Sequence, residues 1–196
     1  TAGLVYNVLV IWVPDGRGVA MLYNVAQLFK EGIGASRQRE VTGELVQIDE
    51  NNPGPIAVAG TVLLVRTPRG ILATGQVHLR LVQTCRRCLE TAEAEVEIAF
   101  EEEFVPSIDF ETGAKLPVSE DEPELIIDEH HILDLTEVLR QYAVMSASDA
   151  VLCRPDCRGL CPQCGQNLNL GTCACATTHV DPRLASLAQL LGTMDD

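Results

Sequence analysis

The chain has 196 residues, of which 14 are basic and 28 are acidic, so its formal net charge is −14. This charge excludes a protein that coats nucleic acid with a generally basic surface, and any contact with RNA must come from a local patch. Aromatic residues make up only 4% of the chain, which disfavours a single-strand binder that stacks many bases.

Residues 1–20 are predicted to be an extension, with Met21 near the natural start of the protein. They contain an apolar stretch but neither a basic leader nor a small-residue cleavage pattern, so we expect no signal peptide. No apolar run reaches about 18 residues, and we therefore expect no membrane-spanning helix and no membrane partner. We therefore expect a cytoplasmic protein. Because cysteines stay reduced in that compartment, its C-x-x-C pairs favour metal binding over disulfides.

The segment MLYNVAQLFKEGIG predicts a short helix within residues 21–34, capped by Asn24 and ended by Gly32 or Gly34. Strand signals follow, because β-branched residues are dense and Pro or Gly separates the runs. The predicted strands cover residues 39–48, 56–66 and 70–84.

After Cys85 and Cys88, apolar residues alternate with glutamates over 93–101, which predicts another strand with one buried face. The first cysteine pair is therefore expected at the tip of a hairpin between two long strands. Residues 106–128 contain prolines and acidic residues and predict a long loop.

Residues 90–137 form an acidic band, with 17 acidic side chains against a single basic one, Lys115. One interpretation is a solvated strand face followed by a flexible acidic loop. The alternative is a docking surface for a basic protein.

Two helices are predicted toward the C-terminus. Asp134 and Glu137 suggest a capping box for the first, whose apolar stripe runs from Leu135 through Tyr142 to Met145. The second is predicted over 181–192, after the cysteines. Two adjacent histidines, 130 and 131, are interpreted as surface or boundary residues, and His179 remains an alternate metal ligand.

Six of the eight cysteines lie in CRPDCRGLCPQCGQNLNLGTCAC, residues 153–175. CPQCG is a zinc-knuckle turn, in which two thiolates reach one metal, and the C-x-C pair that follows can supply two more ligands. The predicted first site is therefore made of four cysteines: Cys161, Cys164, Cys173 and Cys175.

Four cysteines remain for a second site that would join the hairpin to the C-terminal segment: Cys85, Cys88, Cys153 and Cys157. The expected metal content is two zinc ions per chain, each bound by four thiolates. Three alternatives stay open: the hairpin pair could share a metal with Cys161 and Cys164, one site could be degenerate, or the thiolates could hold an iron–sulfur cluster. A thiol-redox enzyme fits less well, because such pairs follow a strand at a helix N-terminus in an α/β pattern.

Several segments together resemble the YceD family, the large ribosomal RNA subunit accumulation proteins. They are MLYNVAQLFKEGIGASRQREV at 21–41, TCRRCLE at 84–90, IDEHHILDLTEVLRQ at 127–141, the cysteine run at 153–175, and DPRLASLAQLL at 181–191. The resemblance implies a non-enzymatic ribosome-assembly factor that supports accumulation of large-subunit (23S) ribosomal RNA. It also implies a partner that is this RNA or a pre-ribosomal particle.

The expected fold class is α+β: an antiparallel β-sheet, open or barrel-like, with packed helices and a C-terminal zinc-knuckle segment. We expect three parts: the extension at 1–20, an α+β domain at 21–148, and a cysteine-rich segment with a helix at 149–196. If the second cysteine set shares a metal, four arginines gather around it as candidate RNA contacts: Arg86, Arg87, Arg154 and Arg158. The alternative function is an acidic module that chaperones a basic ribosomal protein through residues 90–137.

Overall fold

The computed structural model describes residues 20–118, 121–147 and 151–175. The predicted helix at 181–192, His179 and all but the last residue of the predicted extension lie outside these ranges.

Seven strands and two α-helices make up the described chain. The strands are β1 (Leu22–Asn24), β2 (Ser36–Leu45), β3 (Ile56–Arg66), β4 (Ile71–Thr84), β5 (Thr91–Pro106), β6 (Ile126–Ile127) and β7 (Ile132–Asp134). The helices are α1 (Ala26–Phe29) and α2 (Thr136–Ser146), and a short 3₁₀ turn covers Pro123–Leu125.

The main sheet has the strand order β2-β3-β4-β5-β6. Strands β2 to β5 pair antiparallel with their sequence neighbours, and only the short β6 pairs parallel, with β5. Strands this long coil strongly, because each carries a right-handed twist, and the sheet curls into a half-barrel. The predicted α+β class with an antiparallel, barrel-like sheet is confirmed.

The core fills the inner side of this half-barrel. Alternate residues of the long strands are buried, as in β4, where Val77, Leu79 and Leu81 are buried between exposed neighbours. Helix α2 packs against both β5 and β2 and contributes Leu139, which is fully buried. The helix therefore covers the open side between the two ends of the curled sheet.

A buried asparagine supports the end of β4 that leads to the first cysteine pair. Beyond Leu79 the strand has no partner in β3. There the Asn52 side chain donates to the Val82 carbonyl and accepts from the Val82 amide, both at 2.8 Å. Asn52 thus replaces the missing strand at this position, and sequence reasoning did not identify it.

The short helix predicted within residues 21–34 is wrong in its extent. Leu22–Asn24 is a strand paired with Ile132–Asp134, and only Ala26–Phe29 is helical. The N-cap residue of that turn is Val25 rather than the predicted Asn24, whose Oδ1 nevertheless accepts from the Ala26 amide at 3.1 Å. At Leu22–Asn24 the strand is favoured over a helix because the pairing buries Tyr23 in the core.

The acidic loop and α2 also differ from expectation. The predicted 106–128 loop contains β6, which extends the main sheet. At α2, Asp134 accepts from the Thr136 amide at 2.8 Å, but the Glu137 carboxylate bonds Arg140 rather than closing a capping box. Met145 is 59% exposed and does not belong to the buried stripe of α2.

Candidate metal centre

The β4–β5 hairpin positions the first cysteine pair. Thr84 and Thr91 form the last register pair of the two strands. The Cys85 amide then donates to the Glu90 carbonyl at 2.8 Å, and the Leu89 amide donates to the Cys85 carbonyl at 2.9 Å. This tight turn places both thiols on the inner side of the hairpin tip, and both cysteines are buried.

The segment after α2 returns to this hairpin tip. The Arg86 amide donates to the Val151 carbonyl at 3.0 Å, and the Arg87 guanidinium donates to the Cys157 carbonyl at 2.9 Å. A turn closed by the Cys157 amide and the Arg154 carbonyl brings the second pair of thiols to the same place.

The hairpin cluster is the resulting group of four thiols: Cys85, Cys88, Cys153 and Cys157. All four sulfurs lie within 4.8 Å of one another. The Cys85–Cys157 sulfurs are 3.8 Å apart and the Cys88–Cys153 sulfurs 3.5 Å. A tetrahedral zinc ion with Zn–S bonds of about 2.3 Å requires sulfurs about 3.8 Å apart, so the spacing fits one such ion.

The knuckle cluster is the second group: Cys161, Cys164, Cys173 and Cys175. Its sulfurs meet the same 4.8 Å limit. The Cys161 amide donates to the Gln166 carbonyl and the Gly165 amide to the Cys161 carbonyl, which closes the turn that carries the first two thiols. Gly165 has a φ of 74°, a left-handed conformation that glycine adopts readily. Only Cys161 of this cluster is buried, whereas three of the four cysteines of the hairpin cluster are buried, so the knuckle cluster is closer to solvent.

Charge is distributed unevenly within each group of thiols. In the hairpin cluster, the Cys153 amide donates to the Cys85 sulfur and lowers the pKa of Cys85 to about 6. The Cys153 thiol is hydrogen-bonded to the Cys88 sulfur, and this bond raises the pKa of Cys153 to about 12. In the knuckle cluster the Cys164 amide lowers the pKa of Cys161 to about 6, while hydrogen bonding to Cys164 raises the pKa of Cys175 to about 12. Four adjacent thiolates repel one another, and a divalent cation is what would allow all four to ionise.

Only three residues separate the two clusters along the chain, from Cys157 to Cys161. Gly159 turns the backbone here with a φ of 75°, and a Cβ at this position would lie 3.0 Å from the Arg87 carbonyl oxygen. The same oxygen accepts from the Leu160 amide at 3.0 Å. The hairpin tip and both clusters therefore form one connected body.

Asn169 also links the two clusters, and sequence reasoning did not single it out. It lies between Cys164 and Cys173 of the knuckle cluster, yet its Nδ2 is 3.3 Å from the Cys157 sulfur of the hairpin cluster. The asparagines in QNLNLG are of a kind common in turns, and nothing local marks this one as a donor to sulfur.

The four predicted RNA-contacting arginines all lie at the hairpin cluster and are exposed. Arg87 bonds the Cys157 carbonyl, and Arg154 bonds the Asn169 side chain at 2.7 Å. The side chains of Arg86 and Arg158 have neither an ion pair nor a hydrogen bond to any residue in the described ranges.

The histidines are not part of either thiol cluster in the described chain. His130 is exposed. The His131 ring is 6.0 Å from the ring of Phe29 and 5.2 Å from that of Phe110, at the boundary of the core.

The geometry defines a class of protein. Its members have a curled β-sheet in which one hairpin tip supplies two thiols to a four-thiol cluster, with a second four-thiol cluster beside it. The family described as "Large ribosomal RNA subunit accumulation protein YceD" matches residues 73–191, more than half of the chain. The chain belongs to the YceD family, and the resemblance seen in the sequence is confirmed.

The curated relatives are uncharacterized mycobacterial proteins. "Uncharacterized protein Rv2926c" of Mycobacterium tuberculosis and "Uncharacterized protein Mb2951c" of Mycobacterium bovis are each 34% identical over 131 residues. These matches cover 65% of this chain and 58% of each relative's length. "Uncharacterized protein ML1660" of Mycobacterium leprae is 26% identical over 121 residues, covering 62% of this chain and 53% of that protein. The chain thus spans little more than half the length of the relatives it matches.

No solved structure matches this chain. Within the described residues, no helix is both long and apolar enough to cross a bilayer.

Proposed function

We propose that this protein is a cytoplasmic, non-enzymatic assembly factor that supports accumulation of large-subunit (23S) ribosomal RNA. The observation that carries the proposal is the family match over residues 73–191, which contains all eight cysteines and the hairpin that presents the first pair. The family description names ribosomal RNA of the large subunit, and the role comes to this chain through that match. The division into an α+β domain at 21–148 and a cysteine-rich segment at 149–196 is part of the proposal.

Each thiol cluster is proposed to hold one zinc ion with four cysteine ligands. The support is the ligand chemistry: four sulfurs within 4.8 Å of one another, with backbone amides bonded to Cys85 in one cluster and Cys161 in the other, are typical of closed structural zinc sites. Zinc fixes loop-rich segments that have little apolar core of their own. Among the hydrophobic residues that the structure describes, Leu152 and Leu160 alone pack against the buried cysteines of the hairpin cluster.

Elemental analysis of the purified protein tests the metal assignment. We expect two zinc ions per chain, negligible iron and no reactive thiol. If iron is found together with visible charge-transfer absorption, the assignment changes from zinc to an iron–sulfur cluster. A metal-free protein with a rapidly alkylated cysteine pair would favour the thiol-redox alternative instead.

Direct RNA binding is proposed to occur at the arginines of the hairpin cluster. Arg87 and Arg154 are held by the bonds described above, so their positive charges stay close to the clusters. Arg86 and Arg158 are exposed and are therefore the cations available for phosphate groups.

Binding to 23S RNA fragments over a range of salt concentrations tests this surface. We expect Arg86→Ala with Arg158→Ala to weaken binding and to reduce the salt-dependence slope by about 1.4 to 1.8, because two phosphate contacts are lost. Arg80→Ala is the matched control, since Arg80 is exposed but paired with Glu95 on the acidic strand. Equal effects of the double variant and the control would reject a localised arginine surface.

A basic ribosomal protein is the alternative partner, and one feature favours it. Strand β5 exposes glutamates at alternate positions along one face: Glu93, Glu95, Glu97 and Glu101. Of these four glutamates, only Glu95 forms an ion pair with a residue that the structure describes. Affinity capture from assembly intermediates should recover a basic ribosomal protein with the wild type and lose it when these glutamates become glutamines. Recovery of RNA without any ribosomal protein would contradict this alternative.

A further inference from the structure

Asn169 belongs to the loop of one cluster and contacts the other. Its backbone lies between Cys164 and Cys173, whose thiols are both in the knuckle cluster. Its side chain bonds Arg154, Cys157 and Arg158, and the segment 153–158 that contains them carries two thiols of the hairpin cluster. The residue therefore stands at the junction of two groups of potential ligands.

Both ends of the Asn169 carboxamide are bonded. Nδ2 donates to the Cys157 sulfur at 3.3 Å and to Asn167 Oδ1 at 2.9 Å. Oδ1 accepts from the Arg158 amide and from the Arg154 guanidinium, both at 2.7 Å. Since Oδ1 faces two donors, the reverse orientation of the amide would break both bonds, and this fixes Nδ2 as the group that meets the sulfur.

The loop that carries Asn169 is itself fastened to both clusters. Asn167 donates to the Glu90 carboxylate of the hairpin tip at 3.3 Å. The Leu168 amide donates to the carbonyl of Gly159, the glycine between the clusters, at 2.9 Å. The loop also begins at Cys164 and ends at Cys173, so the knuckle cluster adds a further restraint on the position of the amide relative to the Cys157 sulfur.

We propose that Asn169 is a positioning residue that couples metal binding at the two clusters. This inference rests on the proposed zinc sites. An ion in the knuckle cluster restrains the loop at Cys164 and Cys173, which presents the Asn169 amide to the Cys157 thiolate. That hydrogen bond stabilises the thiolate and raises the affinity of the hairpin cluster for its own ion, as outer-shell donors do in metal sites.

The coupling must be reciprocal, because linkage gives the same factor in both directions. An ion in the hairpin cluster fixes Cys157, and the fixed sulfur holds the Asn169 side chain and its loop in the conformation that closes the knuckle cluster. Outer-shell changes typically reduce metal affinity by about 10-fold to 100-fold, and this is the expected size of the coupling.

Chelator competition on the full chain tests the proposal, with cadmium NMR used to follow each four-thiolate site separately. We expect Asn169→Ala to lower the affinity of the hairpin cluster by about 10-fold to 100-fold. Cys173→Ser with Cys175→Ser, which disables the knuckle cluster, should lower it by a similar factor. Asn169→Ala should then have little further effect in that background.

Leu170→Ala is the matched control, because this neighbour in the same loop is 83% exposed and should leave both affinities unchanged. If the cysteine double variant does not fold, the reciprocal measurement replaces it: Cys88→Ser with Cys153→Ser should weaken the knuckle cluster, and Asn169→Ala should add little.

Two results would overturn the coupling while leaving the zinc sites intact. One is an equal effect of Asn169→Ala with and without a working knuckle cluster, which would make the hydrogen bond purely local. The other is no effect in either background. A wild-type chain that binds no metal would reject the zinc assignment itself, and the coupling with it.

Discussion

Replacing Gly159 with alanine tests the close packing between the hairpin tip and the link that joins the two clusters. The residue has a φ of 75°, and an added Cβ would lie 3.0 Å from the Arg87 carbonyl oxygen. A left-handed conformation costs a non-glycine residue about 1 to 2 kcal/mol. Relieving the contact moves the oxygen that accepts from the Leu160 amide, a bond with a net contribution of about 1 kcal/mol. The expected loss of local stability is therefore about 2 to 3 kcal/mol.

Gly165→Ala is the matched control for this variant. Gly165 has a similar φ of 74°, but an added Cβ would meet no atom within 4 Å. It should lose only the conformational part, about 1 to 2 kcal/mol. The difference between the two variants then isolates the contact with Arg87.

Native-state hydrogen exchange of the metal-loaded protein measures the effect at the Leu160 amide, because local opening is read one amide at a time. We expect its protection to fall by a further factor of about 5 to 10 in Gly159→Ala relative to Gly165→Ala, since 1.4 kcal/mol corresponds to a factor of ten. Equal protection in the two variants would refute the close approach, and wild-type protection in both would refute the left-handed backbone.

Three further predictions concern the sheet and the clusters. Asn52→Ala leaves the partly buried Val82 amide and carbonyl without their partner and should destabilise the protein by about 2 to 4 kcal/mol in urea unfolding. Asn51→Ala, at the exposed neighbour, should change little. Burial raises the pKa of Tyr23 to about 12, so the folded state binds a proton that the unfolded state releases above pH 10. The Tyr23 contribution to stability should be constant below pH 10 and fall by about 1.4 kcal/mol per unit between pH 10 and 12, and Tyr23→Phe should remove this component from alkaline unfolding curves. Chelation of the metal should expose residues 151–175 to trypsin while β3 and β4 keep their exchange protection, because the sheet has its own core; simultaneous loss of both would contradict that separation.

The long strands are predictable because their pattern is local. β3 is predicted from its β-branched residues to its observed ends, Ile56–Arg66, and glutamates alternating with apolar residues identify β5. The partition of the cysteines follows from counting: four thiols satisfy one tetrahedral ion, so eight suggest two sites. The structure groups them in this way, and their role as ligands remains a prediction.

What sequence reasoning missed depends on distant partners. Leu22–Asn24 is too short to show a period of two, and its partner Ile132–Asp134 lies more than 100 residues away. Asn52 and Asn169 are polar residues in turn-like segments, and nothing local distinguishes them from ordinary loop asparagines. Their importance comes from a backbone group or a sulfur that only the folded chain brings within reach.

The hairpin cluster joins parts of the chain that are made at different times. Cys85 and Cys157 are 72 positions apart, and Cys88 and Cys153 are 65 apart, whereas the whole knuckle cluster lies within residues 161–175. Closing a loop of 65 residues costs about 1.4 kcal/mol more entropy than closing one of 14, so the shorter loop closes more readily. The knuckle cluster can close within its own segment, whereas the hairpin cluster needs a finished sheet and a returning chain, although its last cysteine precedes those of the knuckle cluster. We therefore expect the hairpin cluster to be completed late in folding, after the sheet has formed and the segment after α2 has returned to the hairpin tip.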